Sequence, residues 1–416
     1  MTISSVRVAL SNEAALKAQC LIVCFVLNFV CMGSSAVTTV LIAPLQEMLD
    51  ASSASILFVT FGLMTLFMSV ASPVAGWLLS RFSYAPVLSV SVLLIGGAWV
   101  CLGDPRSLWQ VGLIYSLGFG VGLISLSLAC TFWVSELFVA SRGSATSAVM
   151  VGYSVGAAAL PPLAVIGMLS TPELSVVRWY GALMLLGAPI VYLMSRGSSA
   201  RSARQDATLE KDDVSQGRDR VRVRSYLVAF AFSALLMAGC GIAGGVPASI
   251  LPIYAAEMQV APVAAASLVS VYFVASVVGT LIYGWVSDRY SEVVSAVMVL
   301  ALLAGASLLF LSAESVPFLV LGAMILGLGV GASMILPVTL ATTLFPPGVF
   351  VRALSWIAPC SLIAISIALP VAGWFDDAFL SYRPTFLMTL IAALIGFAAV
   401  IGIATRSVDA FGGVSS

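Results

Sequence analysis

Long apolar stretches alternate with short polar connections along the whole 416-residue chain. Stretches of about 20 apolar residues are long enough to cross the hydrocarbon core of a bilayer as a helix. We therefore expect an all-α membrane protein with twelve transmembrane helices. The twelve stretches cover residues 20–43, 54–79, 86–103, 107–132, 144–170, 179–195, 226–252, 260–286, 293–312, 317–343, 353–375 and 384–405.

One connection differs from the others in length and composition. Residues 195–225 are polar and rich in both charges, which favours a solvated linker. This linker would divide the chain into a six-helix N-terminal half, residues 1–194, and a six-helix C-terminal half, residues 226–416. With the N-terminus in the cytoplasm, 15 of the 18 basic residues lie on the cytoplasmic side, as the positive-inside rule requires. We expect an inner-membrane protein whose termini and linker are cytoplasmic.

The two halves repeat each other. The octapeptide GWLLSRFS at 76–83 returns as GWVSDRYS at 284–291, 208 residues later, and LGFGVG at 117–122 returns as LGLGVG at 326–331. Parallel duplication of six helices predicts two pseudo-symmetric bundles that enclose a site near the bilayer midplane.

Composition narrows the chemistry that such a site can use. The chain is 61% hydrophobic and 9% charged, has no histidine and has zero net charge. Histidine catalysis and histidine metal sites are therefore excluded, and nucleic-acid binding has no electrostatic basis. The seven cysteines lie in apolar stretches without the spacing of a metal site. We expect no enzyme activity, no cofactor and no metal.

The twelve stretches contain no acidic or basic residue. Ionisable residues inside a membrane usually mark a proton or ion pathway. One interpretation is that the solute needs no fixed counter-charge and is driven by its own gradient or by a proton that it carries. The other is that a carboxylate at the edge of a helix does the coupling. The candidates for that role are Glu47, Asp50, Glu257, Asp376 and Asp377.

The repeated loop motif, the two six-helix halves and the basic central linker resemble the major facilitator superfamily of secondary transporters. The segment at 132–165 is similar to that of monocarboxylate and oxalate porters, which hold a basic residue among their helices to meet the substrate carboxylate. No such residue lies in the stretches of this chain. The residues that carry the narrower likeness are Phe132, Trp133, Arg142, Gly143, Gly152, Gly156, Pro161 and Pro162.

Uncharged polar and aromatic side chains are the remaining candidates for recognition of a solute. The resemblance implies a cavity lined mainly by helices 1, 2, 4, 5, 7, 8, 10 and 11. Serine and threonine side chains in such helices more often bond neighbouring helices than a ligand. The substrate-binding candidates are Asn28, Ser35, Thr39, Tyr115, Ser127, Tyr153, Tyr272, Ser276, Trp356 and Ser361.

The repeated octapeptides predict a gate at the cytoplasmic ends of helices 2 and 8. A carboxylate beside a helix N-terminus is stabilising by about 0.3–2 kcal/mol, so Asp288 could bond the start of the fifth helix while that side is closed. Ser80 stands at the matching place in the first copy and carries no charge, which predicts an asymmetric gate. The alternative is that these charges only end helices and set topology. The gating candidates are Gly76, Arg81, Glu136, Arg142, Gly284, Asp288 and Arg289.

These observations together predict a monomeric transporter in the lipid bilayer that moves a small organic solute, with a coupling proton as a further partner. The solute would be an organic acid or an amphiphilic metabolite, and the mechanism rocker-switch alternating access. An efflux pump for hydrophobic compounds is the alternative, and a membrane sensor that keeps the fold without transport is a third interpretation.

Overall fold

A computed structural model describes residues 3–138, 142–170, 175–196, 220–290, 292–334, 336 and 347–412, and every regular element in these ranges is helical. Eleven helices of the described chain are long and apolar enough to cross a membrane, and two shorter apolar helices, Ala15–Cys31 and Val37–Leu49, precede them. The prediction of an all-α membrane fold is confirmed.

The helices follow the predicted stretches to within a few residues at most ends. Before the linker they are α1 (Ile3–Leu27), a π-helix (Asn28–Met32), α2 (Val37–Leu49), α3 (Ser53–Leu57), a second π-helix (Phe58–Gly62), α4 (Leu63–Arg81), α5 (Tyr84–Leu102), α6 (Leu108–Leu113), a third π-helix (Ile114–Val121), α7 (Gly122–Leu137), α8 (Arg142–Ser170) and α9 (Ser175–Arg196). After the linker they are α10 (Arg220–Glu257), α11 (Pro262–Arg289), α12 (Glu292–Leu311), α13 (Val316–Ser333), α14 (Pro347–Phe379) and α15 (Arg383–Gly412).

Helices of this kind suit hydrocarbon because they satisfy their own backbone hydrogen bonds. The outer face of α9 shows the accompanying side-chain pattern. Leu183, Leu186, Ile190 and Leu193 are each at least half exposed and follow one another at helical spacing. A contiguous apolar stripe of this length is unfavourable in water and favourable against lipid tails.

The first predicted stretch, residues 20–43, is wrong as a single helix. The chain leaves the α-helical pattern at Asn28, passes through a π-helix and turns at residues 35–36 before α2 begins. Gly33 and two serines occupy the break, and the Ser34 hydroxyl donates to the Cys31 carbonyl at 2.7 Å. Serine side chains that bond nearby carbonyls compete with helical hydrogen bonds, which explains why the helix ends here.

Contacts divide the chain into two compact units. The first consists of Met1–Val37 and Val70–Ser215, and in it α5 packs along α9 and α8 packs along α1. The second consists of Thr38–Ser69 and Gln216–Ser416. In the second unit α12 packs along α15 and α10 along α14, so helices at corresponding places of the repeat pair in the same way. The division of the chain at the 195–225 linker stays a prediction.

The duplication also extends to backbone conformation. Asp50, after α2, and Gln259, after α10, lie 209 residues apart and both have positive φ, at 46° and 59°. After each, an N–H bonds five residues back: Ala51 to the Gln46 carbonyl at 3.2 Å and Val260 to the Ala255 carbonyl at 3.1 Å. This is the Schellman arrangement, which ends a helix sharply. Both halves therefore make the same tight turn on the outer side, the side opposite the predicted cytoplasmic face.

Candidate functional site

The π-helix that begins at Asn28 holds a buried polar side chain whose oxygen is unpaired within the described part of the chain. Asn28 is fully buried, and its Nδ2 donates to the Cys24 carbonyl at 2.8 Å. Its Oδ1 has no hydrogen-bond partner among the residues that the structure describes. A buried acceptor without a donor costs about 1–3 kcal/mol, and π-helical segments are frequent at functional sites. Asn28 therefore offers an acceptor for a donor that the described chain does not supply.

Side chains from two other helices stabilise the break in the first helix. The Tyr180 hydroxyl on α9 donates to the Val30 carbonyl at 2.8 Å, and the indole N–H of Trp99 on α5 donates to the Ser34 hydroxyl at 3.2 Å. The Tyr180 and Trp99 rings also meet edge to face, with centroids 5.8 Å apart. The break is thus a supported feature of the first unit rather than a frayed helix end.

Glycines bring α8 into backbone contact with the broken helix. A Cβ on Gly152 would lie 2.6 Å from the Phe25 carbonyl oxygen, and one on Gly33 would lie 2.7 Å from the Cα of Gly156. Because only glycine fits at such distances, these glycines allow α8 to pack in backbone contact with the broken helix. This approach brings the Tyr153 side chain into interaction with Ser35, on the other side of the contact.

The remaining first-unit candidates have packing roles. Tyr115 is fully buried, and its ring meets Phe119 edge to face at 5.3 Å, within a cluster that continues to Trp99. Ser127 is half-buried, and its carbonyl accepts from the Thr131 hydroxyl at 2.8 Å. The structure therefore brings Ser35 and Tyr153 together near the helix break, and it places Tyr115 in an aromatic core.

In the second unit, the backbone carbonyls of the candidates Tyr272 and Ser276 on α11 contact glycines of α13. A Cβ on Gly327 or Gly331 would overlap the carbonyl oxygen of Tyr272 or Ser276, respectively. The Ser276 hydroxyl donates to the Phe273 carbonyl at 2.8 Å, one turn back in its own helix. Both residues thus belong to the tight contact of α11 with α13.

The other second-unit candidates lie apart from that contact. Thr39 is buried on α2, and Ser361 lies where α14 meets α10, because a Cβ on Gly241 would be 2.7 Å from the Ser361 carbonyl oxygen. The side chain of Trp356 lies outside the part of the chain that the structure describes.

Each octapeptide forms the same kind of contact within its own helix, at the end of α4 and at the end of α11. The Arg81 guanidinium lies 4.6 Å from the Trp77 ring centroid, and that of Arg289 lies 5.6 Å from the Trp285 ring centroid. Exposed cation–π pairs of this kind contribute about 0.5–1 kcal/mol. A Cβ on Gly76 would meet nothing within 4 Å. The side chains of Glu136, Arg142 and Asp288, and the surroundings of Gly284, lie outside the described part of the chain.

Two of the candidate edge carboxylates, Asp376 and Asp377, form a contact that the sequence does not predict. Asp376 and Asp377, at the end of α14, bond the start of α3. A sequence signal precedes them: the pentapeptide PVAGW occurs at 73–77 in α4 and again at 370–374 in α14. Phe375 and then the two aspartates follow the second copy.

Comparisons with known proteins agree with this architecture. Residues 231–411 match the family model of the Major Facilitator Superfamily. The chain is similar to the uncharacterized MFS-type transporter YhjX of Escherichia coli, with 25% identity over 302 residues, which is 69% of this chain and 71% of that protein.

Solved transporter structures share the fold over nearly the whole chain. A bacterial homologue of the human lysosomal transporter Spinster, inward-facing and unoccupied, has a TM-score of 0.73 and 16% identity, covering 92% of this chain and 97% of its own. The nucleoside transporter NupG, as a D323A mutant, has a TM-score of 0.71 and 14% identity over 93% of this chain and 99% of its own. A peptide transporter in complex with sulfate has a TM-score of 0.74 and 14% identity over 93% and 94%. At these identities the likeness shows the fold alone.

Proposed function

We propose that this chain is a secondary transporter of the major facilitator superfamily rather than an enzyme, because residues 231–411 match that family's model and the chain is similar to an MFS-type transporter. In this proposal it works as a monomer in the inner membrane, with both termini cytoplasmic. It moves a small organic solute, an organic acid or an amphiphilic metabolite, by rocker-switch alternating access. The solved transporters of this fold carry names as different as nucleoside and peptide transporter, so the fold supports solute transport without selecting one chemistry.

The observation that best supports this solute class is the unpartnered acceptor of Asn28. An amide oxygen binds a hydroxyl, an N–H or a protonated carboxyl group, and it repels a carboxylate. The predicted spans also contain no basic side chain that could neutralise an anion. An organic acid would therefore cross with its own proton, and a hydroxylated metabolite would cross as a neutral molecule.

A ligand-stabilisation screen tests this assignment. A ligand that binds the folded protein raises its apparent stability by mass action. We expect protonated organic acids or hydroxylated amphiphiles to raise the unfolding temperature, and organic acids to do so more strongly at pH 5 than at pH 8. Strong stabilisation by lipophilic drugs instead, together with drug resistance in expressing cells, would favour the efflux pump. Stabilisation by permanently charged anions would contradict the proposal.

The variant Asn28→Leu connects the screen to this residue. Leucine is close to asparagine in size and leaves no polar atom unpaired, so we expect folding to be unchanged or improved. The apparent affinity for the ligand, obtained from the shift in unfolding temperature, should fall at least tenfold. Ser233→Ala is the matched control, because Ser233 is also fully buried and its hydroxyl also has no partner among the described residues. Equal ligand shifts in the two variants would remove Asn28 from the binding site.

A further inference from the structure

The start of α3 is a capped helix N-terminus, which the predicted topology places on the outer side of the membrane. The tight turn at Asp50 ends α2, and Ser52 then acts as N-cap, its hydroxyl accepting from the Ser55 N–H at 3.3 Å. The first N–H groups of any helix have no partner inside the helix. In α3 these include the N–H groups of Ser53 and Ala54.

Two adjacent carboxylates from the end of α14 supply the missing partners. The Asp377 carboxylate accepts from the Ser53 N–H at 2.8 Å with one oxygen and from the Ala54 N–H at 3.0 Å with the other. The Asp376 carboxylate accepts from the Ser53 hydroxyl, which also receives the Gln46 amide N–H at 3.0 Å. A negative charge at a helix N-terminus is favourable because it also faces the positive end of the helix dipole.

The backbones of α3 and α14 are in direct contact here. A Cβ on Gly373 would lie 2.5 Å from the Cα of Ala54, so no side chain fits at position 373. About two turns further along each helix, a Cβ on Gly62 would lie 3.3 Å from the Ser366 carbonyl oxygen. The contact therefore consists of a glycine surface and, at its outer edge, the two carboxylates.

A buried tyrosine lies beside the carboxylates. Tyr382 is only 2% exposed, and burial, followed by the nearby charge of Asp376, raises the pKa of its hydroxyl, which therefore stays neutral at physiological pH. The Tyr382 N–H donates to the Glu257 carboxylate at 3.3 Å. The partners that the structure gives Asp376 and Asp377 are N–H and O–H groups, so the helix start takes the place of a basic residue.

The equivalent positions of the repeat cannot form the same contact. The residue 209 positions after Ser53 is Pro262, which has no N–H to donate. The residues 209 positions before Asp376 and Asp377 are Gly167 and Met168, which carry no charge. The carboxylate contact is therefore specific to the pair α3 and α14.

We propose that Asp376, Asp377 and Gly373 form an outer latch that closes the outer side of the transporter by holding the start of α3 against α14. The proposal rests on alternating access, since a latch has meaning only if the outer side also opens. In the outer-open state α3 and α14 separate, and water replaces the carboxylates at the Ser53 and Ala54 N–H groups. Loss of the latch shifts the resting population toward the outer-open state.

The test measures the conformational population without any solute. Ser366 is 6% exposed below the latch, so a Ser366→Cys reporter should react slowly with a membrane-impermeant maleimide added from outside. The background carries Cys101→Ser, because Cys101 is the exposed cysteine among the described residues. In this background Asp377→Asn removes the charge and turns an amide N–H toward a backbone N–H. We expect it to raise the labelling rate about tenfold, and Gly373→Leu to raise it at least as much.

Two controls separate the latch from general damage. Asp104→Asn removes another outer carboxylate, which pairs with Arg106 at 3.2 Å, and Gly305→Leu places a side chain where nothing lies within 4 Å. Both should label at the rate of the reporter alone, and Asp377→Glu should restore most of the slow rate. Far-UV circular dichroism and gel filtration identify any unfolded variant.

Unchanged labelling in folded Asp377→Asn and Gly373→Leu would overturn the outer latch. A faster rate in these variants but not in the controls would support it, whether or not a transported solute is found. Failure to detect transport of any solute would count against the proposed function and leave the latch standing as a conformational contact.

Discussion

The contact of α8 with the broken first helix allows a sharp stability prediction at Gly156. In Gly156→Ala the new Cβ would overlap the Phe29 carbonyl oxygen and lie 2.9 Å from the Phe29 carbonyl carbon. The obstacle is backbone rather than a flexible side chain, so the two helices must separate by about 1 Å to restore ordinary contact distances. The same movement weakens the interaction between Tyr153 and Ser35.

The size of the effect follows from three contributions. Overpacking of a tight interior contact costs about 1–3 kcal/mol. Weakening of the interaction between Tyr153 and Ser35 adds about 1 kcal/mol, and the better helix propensity of alanine returns about 0.5–1 kcal/mol. The net loss is about 2 kcal/mol, which is large against the stability of an ordinary domain.

Thermal unfolding of the purified protein in detergent, followed by tryptophan fluorescence, measures this loss. The matched control is Gly97→Ala on α5 in the same unit, because a Cβ on Gly97 would meet nothing within 4 Å. We expect Gly156→Ala to unfold several degrees below the wild type and Gly97→Ala to unfold at or above it. Equal unfolding temperatures for the two variants would refute the claim that the glycine contact supports the helix break.

Three further predictions concern other contacts. Ser307→Ala should cost only about 0.6 kcal/mol in an unfolding assay, which is the average for an interhelical hydrogen bond in a membrane. The cost is small because the Thr389 hydroxyl keeps its 2.9 Å bond to a carbonyl of its own helix when its bond to Ser307 is lost. A loss above about 2 kcal/mol would contradict this. Trp77→Leu should cost about 0.5–1 kcal/mol through the lost contact with Arg81, and a double-mutant cycle with Arg81→Gln should show coupling of that size rather than none. Ser52→Ala should cost about 1 kcal/mol by removing the N-cap of α3, whereas Ser52→Thr should keep most of the stability that the cap supplies. Identical unfolding temperatures for both variants would count against the cap.

The apolar pattern predicted the fold well because a membrane helix must be long and apolar regardless of its neighbours. The spacing of Gly152 and Gly156 is also typical of a close helix contact, since small residues four apart form one smooth face. The break after Asn28 could not be predicted, because its support comes from Tyr180 and Trp99, which are far away in sequence. The sequence around the break does not show which distant residues stabilise it.

The candidate site was predicted less well than the fold. Helices that are apolar on all sides give no periodic signal of which face is inward, so Tyr115 and Ser276 could be named but not oriented. The structure places both in helix packing. The carboxylates of Asp376 and Asp377 were recognised as edge residues, but their partner at Ser53 is more than 320 residues away along the chain. Only the folded chain brings that partner to them.

Solute flux into proteoliposomes tests most directly whether this protein is a transporter that works by alternating access. Liposomes with the reconstituted protein should take up at least one organic acid or amphiphilic metabolite saturably, and an outward gradient of unlabelled solute should accelerate the uptake of labelled solute. Asn28→Leu should lower this flux while Ser233→Ala leaves it unchanged. Flux no greater than that of protein-free liposomes, across acids, amphiphiles and hydrophobic drugs and with correctly folded protein, would contradict transport.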